Sequence, residues 1–421
     1  MPPSLRHRIG YQDWIDRKYS PSKGPRYMTA RIHSCRRYLL AAAFTGSLAA
    51  LWACPASSQT AQPDLRPAPT PSDFAAATAE ERRALEEYSK AWQSYQAAAG
   101  RYWSSIVEKR QLRNGKRARG EQLAISDYVL AQPPVYTGPP KPLRPVPHPV
   151  YVPVVADFLA AAQREFKFTP RLPQSENEFK RAYAKAALAA GLTRDQIVRI
   201  YGFEATGNGS YDVEAGLEHN KHGRAITTAL GYNQLLATNS VEVLAEKGSE
   251  FIKALEVKVA AIPGTPQQAL DGKIEVLRRM VAFVRSVPDA WNQHEILANT
   301  PKGLGVHALN LDLDIGPMLQ TQKLVDSVVF ARRKGLSRTL TAAELEMLNL
   351  TGDGNGFDMV TMPLSWRDQV PTANFFRASG YADNPVARRN NVVAKLIAAT
   401  DAQMDEEIKK PGARELAALL Q

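Results

Sequence analysis

Large side chains fall at Leu85, Tyr88, Trp92, Tyr95, Ala99, Tyr102 and Ile106, in alternating steps of three and four. That spacing keeps one stripe on one side of a helix, so it predicts an α-helix over Ala79–Lys109. A heptad seam serves a coiled coil or partner-docking helix, or else a long helix packed on the body of its own chain. Bulky aromatics favour the second, because tight two-stranded seams take aliphatic residues. From Val154 onward the helical period recurs. It predicts helices at Val155–Phe166, Glu176–Ala190, Arg194–Ala205, Val241–Ala261, Pro266–Ser286, Gly316–Lys334, Ala342–Leu348 and Pro385–Glu407. Strictly alternating runs of Val, Ile and Thr are nearly absent, so the expected fold class is all-α. Long loops are expected at residues 206–224 and 287–315, where they could carry function. Between the two helical regions lies "QPPVYTGPPKPLRPVPHPVYVP", Gln132–Pro153. Its prolines forbid a helix or a central strand, so it should run extended, as a spacer or as a strap across the surface.

Charge changes the picture at the amino end. Of a formal net charge of +11, a surplus of seven falls within residues 1–37, and residues 38–59 carry no charge. "TARIHSCRRYLLAAAFTGSLAALWACPASSQ" has a basic start, an apolar run from Tyr38 to Ala53 and small residues after it. This is the pattern of an export signal, with an uncleaved N-terminal membrane anchor as the alternative. Met28 stands just upstream, so residues 1–27 are expected to be a mis-annotated extension and residues 28–59 the signal peptide. The expected organisation continues with an N-terminal helical region at 60–131, the Pro-rich linker or strap at 132–153 and an all-helical domain at 154–421. Both cysteines, Cys35 and Cys54, lie in the leader. A processed product therefore has no disulfide or thiol chemistry. "LWAC" also makes Cys54 a candidate for lipidation.

The stretch "GLTRDQIVRIYGFEATG" carries the candidate chemistry. Thr193 and Gln196 form a capping-box signature that opens a helix. Ile197, Ile200 or Tyr201, and Glu204 share one face of it, at offsets of three or four. Glu204 thus falls on the apolar side of the last turn. The negative end of the helix dipole and its apolar neighbours both disfavour an ionised carboxyl there. A general acid that must hold its proton near neutral pH needs those conditions. The bland alternative is a glutamate that reaches the surface or pairs with Arg194 or Arg199. The Gly-Asn-Gly-Ser run that follows has no large apolar residue before Tyr211 and would open the carboxyl to a cleft.

Further on, "AITTALGYNQLLAT" supplies Gly231 and Gln234, with Ala229 before them, and "MLNLTGDGNG" supplies Asn349 and Gly352. A helix ending in Glu, then Gly-x-x-Gln-Leu, then an Asn before Gly, resembles the catalytic core of the soluble lytic transglycosylases, within the lysozyme-like superfamily. The resemblance spans Ala182 to Thr400. Ala205 stands where that family has Ser, Asn233 where it has Met, and Met347-Leu348 where it has Ala-Tyr. Glu204 and Gln234 are thirty positions apart, so "GSYDVEAGLEHNKHGRAI" reads as an insertion.

The resemblance implies a lysozyme-like helical domain behind the long N-terminal helix and the Pro-rich segment. It implies cleavage of the β-1,4 bond between N-acetylmuramic acid and N-acetylglucosamine in peptidoglycan, with 1,6-anhydro ends. Glu204 would be the catalytic acid and base, and Gly231, Tyr232, Gln234, Asn349 and Tyr211 would line the glycan site. Assistance by the substrate's own N-acetyl group allows a single carboxylate to suffice, where most glycosidases use two. A hydrolytic muramidase needs a second acid, for which Asp212, Glu214 and Glu218 are the candidates. The rival from another class is a catalytically silent peptidoglycan-binding or scaffold protein of the periplasm.

No cofactor or metal is expected. "LTGDGNGFD" lacks the acid spacing of a calcium loop and reads as a tight turn. "HALNLDLDIG" groups His307, Asp312 and Asp314 on a short strand or an extended loop, and His219 and His222 lie three apart in a Gly-bearing loop. None of these has a known ligand spacing. The basic run "KRQLRNGKRARGE" lacks interleaved aromatics and reads as a solvated turn or a contact with an acidic cell-wall polymer, not a nucleic-acid site. The partners expected are peptidoglycan glycan strands, with membrane contact only through the signal peptide or a lipid on Cys54. The location expected is the periplasm.

Overall fold

The computed structural model describes residues 78–141, 151–215, 225–261, 264–382 and 384–421. The leader, with Cys35 and Cys54, lies outside them, as do Glu218, His219 and His222. Among the described residues the protein is all-α. Strand pairing is confined to isolated bridges, Glu214 to Leu230, Leu230 to Leu235 and Pro371 to Val392. No described helix is long and apolar enough to cross a membrane.

Helix α1 spans Ala79–Ala118, opened by a capping box between Thr78 and Glu81. It runs nine residues past the predicted end, through the basic stretch expected to be a turn. The reason lies far along the chain. Arg110, Arg113 and Arg117 recur at steps of three and four on one face, and most of their partners sit in the carboxy-terminal half. Arg113 is wholly buried: its Nε donates to Asp358 (3.3 Å), and Nη1 and Nη2 donate to the carbonyls of Asp127 and Asn374 (both 3.1 Å). Arg117 pairs with Asp358 and donates to the Gly354 carbonyl at 2.9 Å. Arg110 donates to the carbonyls of Asn374 and Phe376; burial, then neighbouring Arg113 and Arg377, pull its pKa down to about 10. These cations hold α1 to the body and are not a solvated surface. Further up, Tyr88, Trp92 and Tyr95 surround Tyr136 of the Pro-rich segment, with ring centroids 5.3–5.8 Å away. That part of the seam is thus covered by the chain itself.

Helices α2 (Val155–Phe166), α5 (Ala237–Ala260), α6 (Thr265–Val284), α7 (Trp291–Ala298) and α8 (Pro301–His307) enclose one apolar core. The second core is built on α3 (Glu176–Ala189), α4 (Arg194–Glu204), α10 (Ala342–Thr351), α11 (Asp353–Thr361), α15 (Val393–Glu407) and α16 (Pro411–Ala418). Helix α9 (Gly316–Arg333) contributes to both, and Tyr211 packs against both. Short helices α12 (Leu364–Arg367), α13 (Ala378–Ala382) and α14 (Pro385–Arg389) fill the path between α11 and α15.

The expected loop at 287–315 is mostly helical. Thr300 caps α8 through the Gly303 N–H at 3.1 Å, and Pro301 occupies its first turn. Helix α7 buries His294 and exposes Ile296, and α8 turns Gly303 and Gly305 inward, so neither carries the apolar stripe that would mark it. The expected turn at "LTGDGNGFD" is a junction between helices. Gly352, at φ 82°, ends α10, and α11 begins at once. A Cβ on Gly356 would lie 2.4 Å from Leu348 Cα, so only glycine lets α11 pack so closely on α10.

Helix α4 is the centre of its half, touched by α3, α10, α15 and α16. Its capping box is present: the Gln196 N–H donates to Thr193 Oγ1 (3.2 Å), and the Thr193 N–H to Gln196 Oε1 (2.9 Å). From Ile200 to Glu204 every residue is buried.

Candidate active site

Glu204 is the last residue of α4 and is 3 % exposed. Asn349, on α10, donates from Nδ2 to Glu204 Oε1 at 2.9 Å. Residues 145 positions apart, drawn from the first and third elements of the sequence pattern, therefore meet. One turn before Asn349 on the same helix stands Glu346, fully buried, with both carboxyl oxygens 3.4 Å from that same Nδ2. Burial, then the charge of Glu204 and a hydrogen bond with it, push the Glu346 pKa well up. Two buried carboxyls in contact cannot both ionise cheaply, so the pair retains at least one proton. The sequence reading missed Glu346. Its signal is the i, i+3 relation to Asn349, which puts both on one helical face.

The Gly231–Gln234 turn forms the second element. Gly231 takes φ 80°, and a Cβ there would meet Gln320 Nε2 at 2.6 Å. Gln234 adopts φ 45°, a left-handed conformation unusual for a residue with a side chain. Its Nε2 donates back to the carbonyls of Gly231 (2.9 Å) and Val213 (3.1 Å), which offsets that strain. Asn233 is clamped by Gln320: its N–H donates to Gln320 Oε1 at 2.8 Å, and its Nδ2 to the Gln320 carbonyl at 2.6 Å. Asn233 Oδ1 accepts from the Tyr183 hydroxyl at 3.0 Å. Burial, with the charge of Glu204 adding to it, raises the Tyr183 pKa. Gln234 itself bonds to its own turn and to Val213, and the structure gives it no hydrogen bond to Glu204.

The remaining candidates divide sharply. Tyr232 is wholly buried among Phe179, Tyr183 and Tyr201, with centroids 4.7–5.3 Å away, and its hydroxyl donates to Glu176. It is a core residue and lines no surface. Tyr211 is half-buried, stacked on Phe179 at 5.1 Å, and its N–H donates to Glu176 at 3.2 Å. Asp212 accepts from Ser210 Oγ. Glu214 accepts from the Val155 N–H at the start of α2, where the helix dipole favours a carboxylate. The carboxyl beside Glu204 is Glu346, not either of these.

The group around "HALNLDLDIG" is helical and 3-10 turn, not strand. Asp312 accepts from Lys273 (2.7 and 2.8 Å) and from the N–H groups of Arg171, Asp314 and Ile315. Asp314 pairs with Arg171, Lys258 and Lys273. His307 Nδ1 meets Ser240 Oγ and Nε2 meets the Thr228 carbonyl, each at 2.8 Å. No group of three or more metal-ligating side chains occurs among the described residues.

No protein-family model, curated protein or solved structure matches this chain.

Proposed function

We propose that the protein is an exported enzyme that cleaves peptidoglycan as a lytic transglycosylase, with Glu204 as its acid and base on a lysozyme-like helical framework. The observation that carries this reading is the 2.9 Å bond from Asn349 to Glu204, which brings two distant elements of the resemblance onto one carboxyl. The pair retains a proton, which the raised pKa of Glu346 places on Glu346 in the resting site, in hydrogen-bond contact with Glu204, and that proton supports an acid role for the pair. Glu204 gives its proton to the glycosidic oxygen as the C1–O bond breaks, and the substrate's N-acetyl oxygen bonds to C1. The Glu204 carboxylate then takes the proton of the C6 hydroxyl. O6 displaces the acetamido oxygen at C1, closing the 1,6-anhydro ring.

A hydrolytic muramidase is the weaker chemistry here. Two-carboxylate glycosidases hold their acids roughly 5–9.5 Å apart, with substrate or water between them. Glu346 shares a hydrogen bond with Glu204 instead, which leaves no room for either.

The 3 % exposure of Glu204 favours a second reading, a glycan-binding protein without turnover. Incubation with purified Gram-negative sacculi and mass analysis of the soluble products separates the two. Anhydro-ended muropeptides, abolished by Glu204→Gln, are the expected result. Reducing ends would indicate hydrolysis. Retention on sacculi with no release would leave only the binding protein.

A further inference from the structure

Away from Glu204, a cavity of about 180 Å³ opens between α1, the Pro-rich segment and residues 378–391. Tyr95 and Trp103, both half-buried, line it from α1. They are eight residues apart on one helix, about 12 Å along its axis at the α-helical rise. Each sits against a second ring of the lining. Tyr136 is 5.6 Å from Tyr95, and Tyr381 is 5.8 Å from Trp103, centroid to centroid. The polar lining is Gln132, Asn391 and Arg388. Gln132 Nε2 donates to the Asn391 carbonyl at 3.2 Å, which ties the Pro-rich segment to the far wall.

We propose that this cavity is a second glycan site, holding an N-acetylated β-1,4-linked strand at a distance from the carboxyl pair. The ligand class follows from the lining. Linked pyranose rings present apolar C–H faces that stack on aromatic side chains, and between those faces they carry hydroxyl and acetamido groups for amides and guanidinium to bind. Two aromatic stations about 12 Å apart along the helix suit rings two residues apart on such a strand, neighbouring rings being too close together to reach both. A proline-rich peptide would use the rings but leave the polar wall largely unmatched. The site also accounts for the aromatic seam and the strap together, since neither element alone encloses it. That the strand is peptidoglycan rests on the function proposed above; that the site takes a sugar chain does not.

The test uses the full-length protein carrying Glu204→Gln, titrated with tetra-N-acetylchitotetraose by calorimetry. Tyr95→Ala and, at the polar wall, Asn391→Ala should each weaken binding about tenfold or more. Arg388→Met covers the case in which Tyr95→Ala fails to fold, as judged by its thermal melt. Affinity unchanged in these variants, or no sugar binding at all, overturns the proposal, as does tighter binding of a proline-rich peptide at the same residues. Release from sacculi by the unmutated protein is scored separately. Release without cavity-dependent sugar binding sinks this site and leaves the catalytic reading standing. Cavity-dependent sugar binding without release does the reverse.

Discussion

Two buried polar clusters of this protein are built in opposite ways. Beneath α9, Asp312 and Asp314 meet Lys273, Lys258 and Arg171, and His307 has a partner at each ring nitrogen. Opposite charges face one another, and the Asp312 carboxylate also gathers three backbone N–H groups. At the end of α4, two carboxyls face each other across one amide. The first arrangement is what a fold needs in order to bury charge. The second stabilises nothing that a pair of apolar residues would not, and perturbed acids of that kind collect at functional sites. Burial alone does not separate the two regions; the sign of the neighbour does.

The sharpest way to break this contrast is at Glu204. Glu204→Gln should lower release from sacculi by roughly 10²–10⁴-fold, the usual contribution of a general acid, with the melting temperature held or raised. Turnover at the wild-type rate would return Glu204 to the ranks of structural residues. Asp312→Ala should do the converse. It strips a half-buried lysine of one partner and three N–H groups of their acceptor, at a cost of about 3–5 kcal/mol in urea unfolding, and it touches no proposed chemistry. A loss below about 1 kcal/mol would mean that Asp314 alone satisfies Lys273.

His307 sharpens the contrast through pH. Burial, opposed by the Thr228 carbonyl, lowers its pKa from 6.5 to about 4. The native ring stays neutral while the unfolded chain takes up a proton below pH 6.5. Its contribution is therefore complete above that pH and is lost as pH falls toward 4, by about 3 kcal/mol in all. Urea midpoints measured from pH 4 to 7 should rise with pH, and His307→Asn should flatten the slope over that window. An unchanged slope would place the titration elsewhere.

What was legible in the sequence follows the same division. Helix α4 announced itself through Thr193 and Gln196, and Glu204 through its place on the apolar face. The order of Glu204, Gln234 and Asn349 could be read without knowing how the chain folds back. Residues whose meaning lies in a distant partner were not legible. Arg110, Arg113 and Arg117 look like a solvated basic run until Asp358 and the carbonyls of Asn374 and Phe376 are set against them. Tyr232 sits beside the turn in sequence yet points into the core, because Phe179, Tyr183 and Tyr201 close around it. Helices α7 and α8 escaped notice because α7 buries His294 and exposes Ile296 and α8 buries two glycines, which blurs the apolar period.

The smallest expected effect is also the most discriminating, because it moves stability and activity in opposite directions. Burial first, and the Glu204 charge second, raise the Glu346 pKa above its ordinary 4.5. A carboxyl whose native pKa exceeds its unfolded value contributes its stability at low pH and loses it as pH rises above about 4.5. Glu346→Gln removes that loss, so the variant should match the wild type near pH 4 and gain on the order of 1 kcal/mol at neutral pH. Activity should show the reverse. An amide beside Glu204 keeps a donor but not the titratable proton that Glu346 shares, so the pair loses its higher pKa and Glu204 stays ionised. The alkaline limb of the pH–rate profile then moves toward acid, and turnover at neutral pH falls. A residue that only packed would leave that limb where it was. Thermal melts and sacculus release measured across one pH series decide the matter, since only a shared proton couples a more stable protein to a weaker acid.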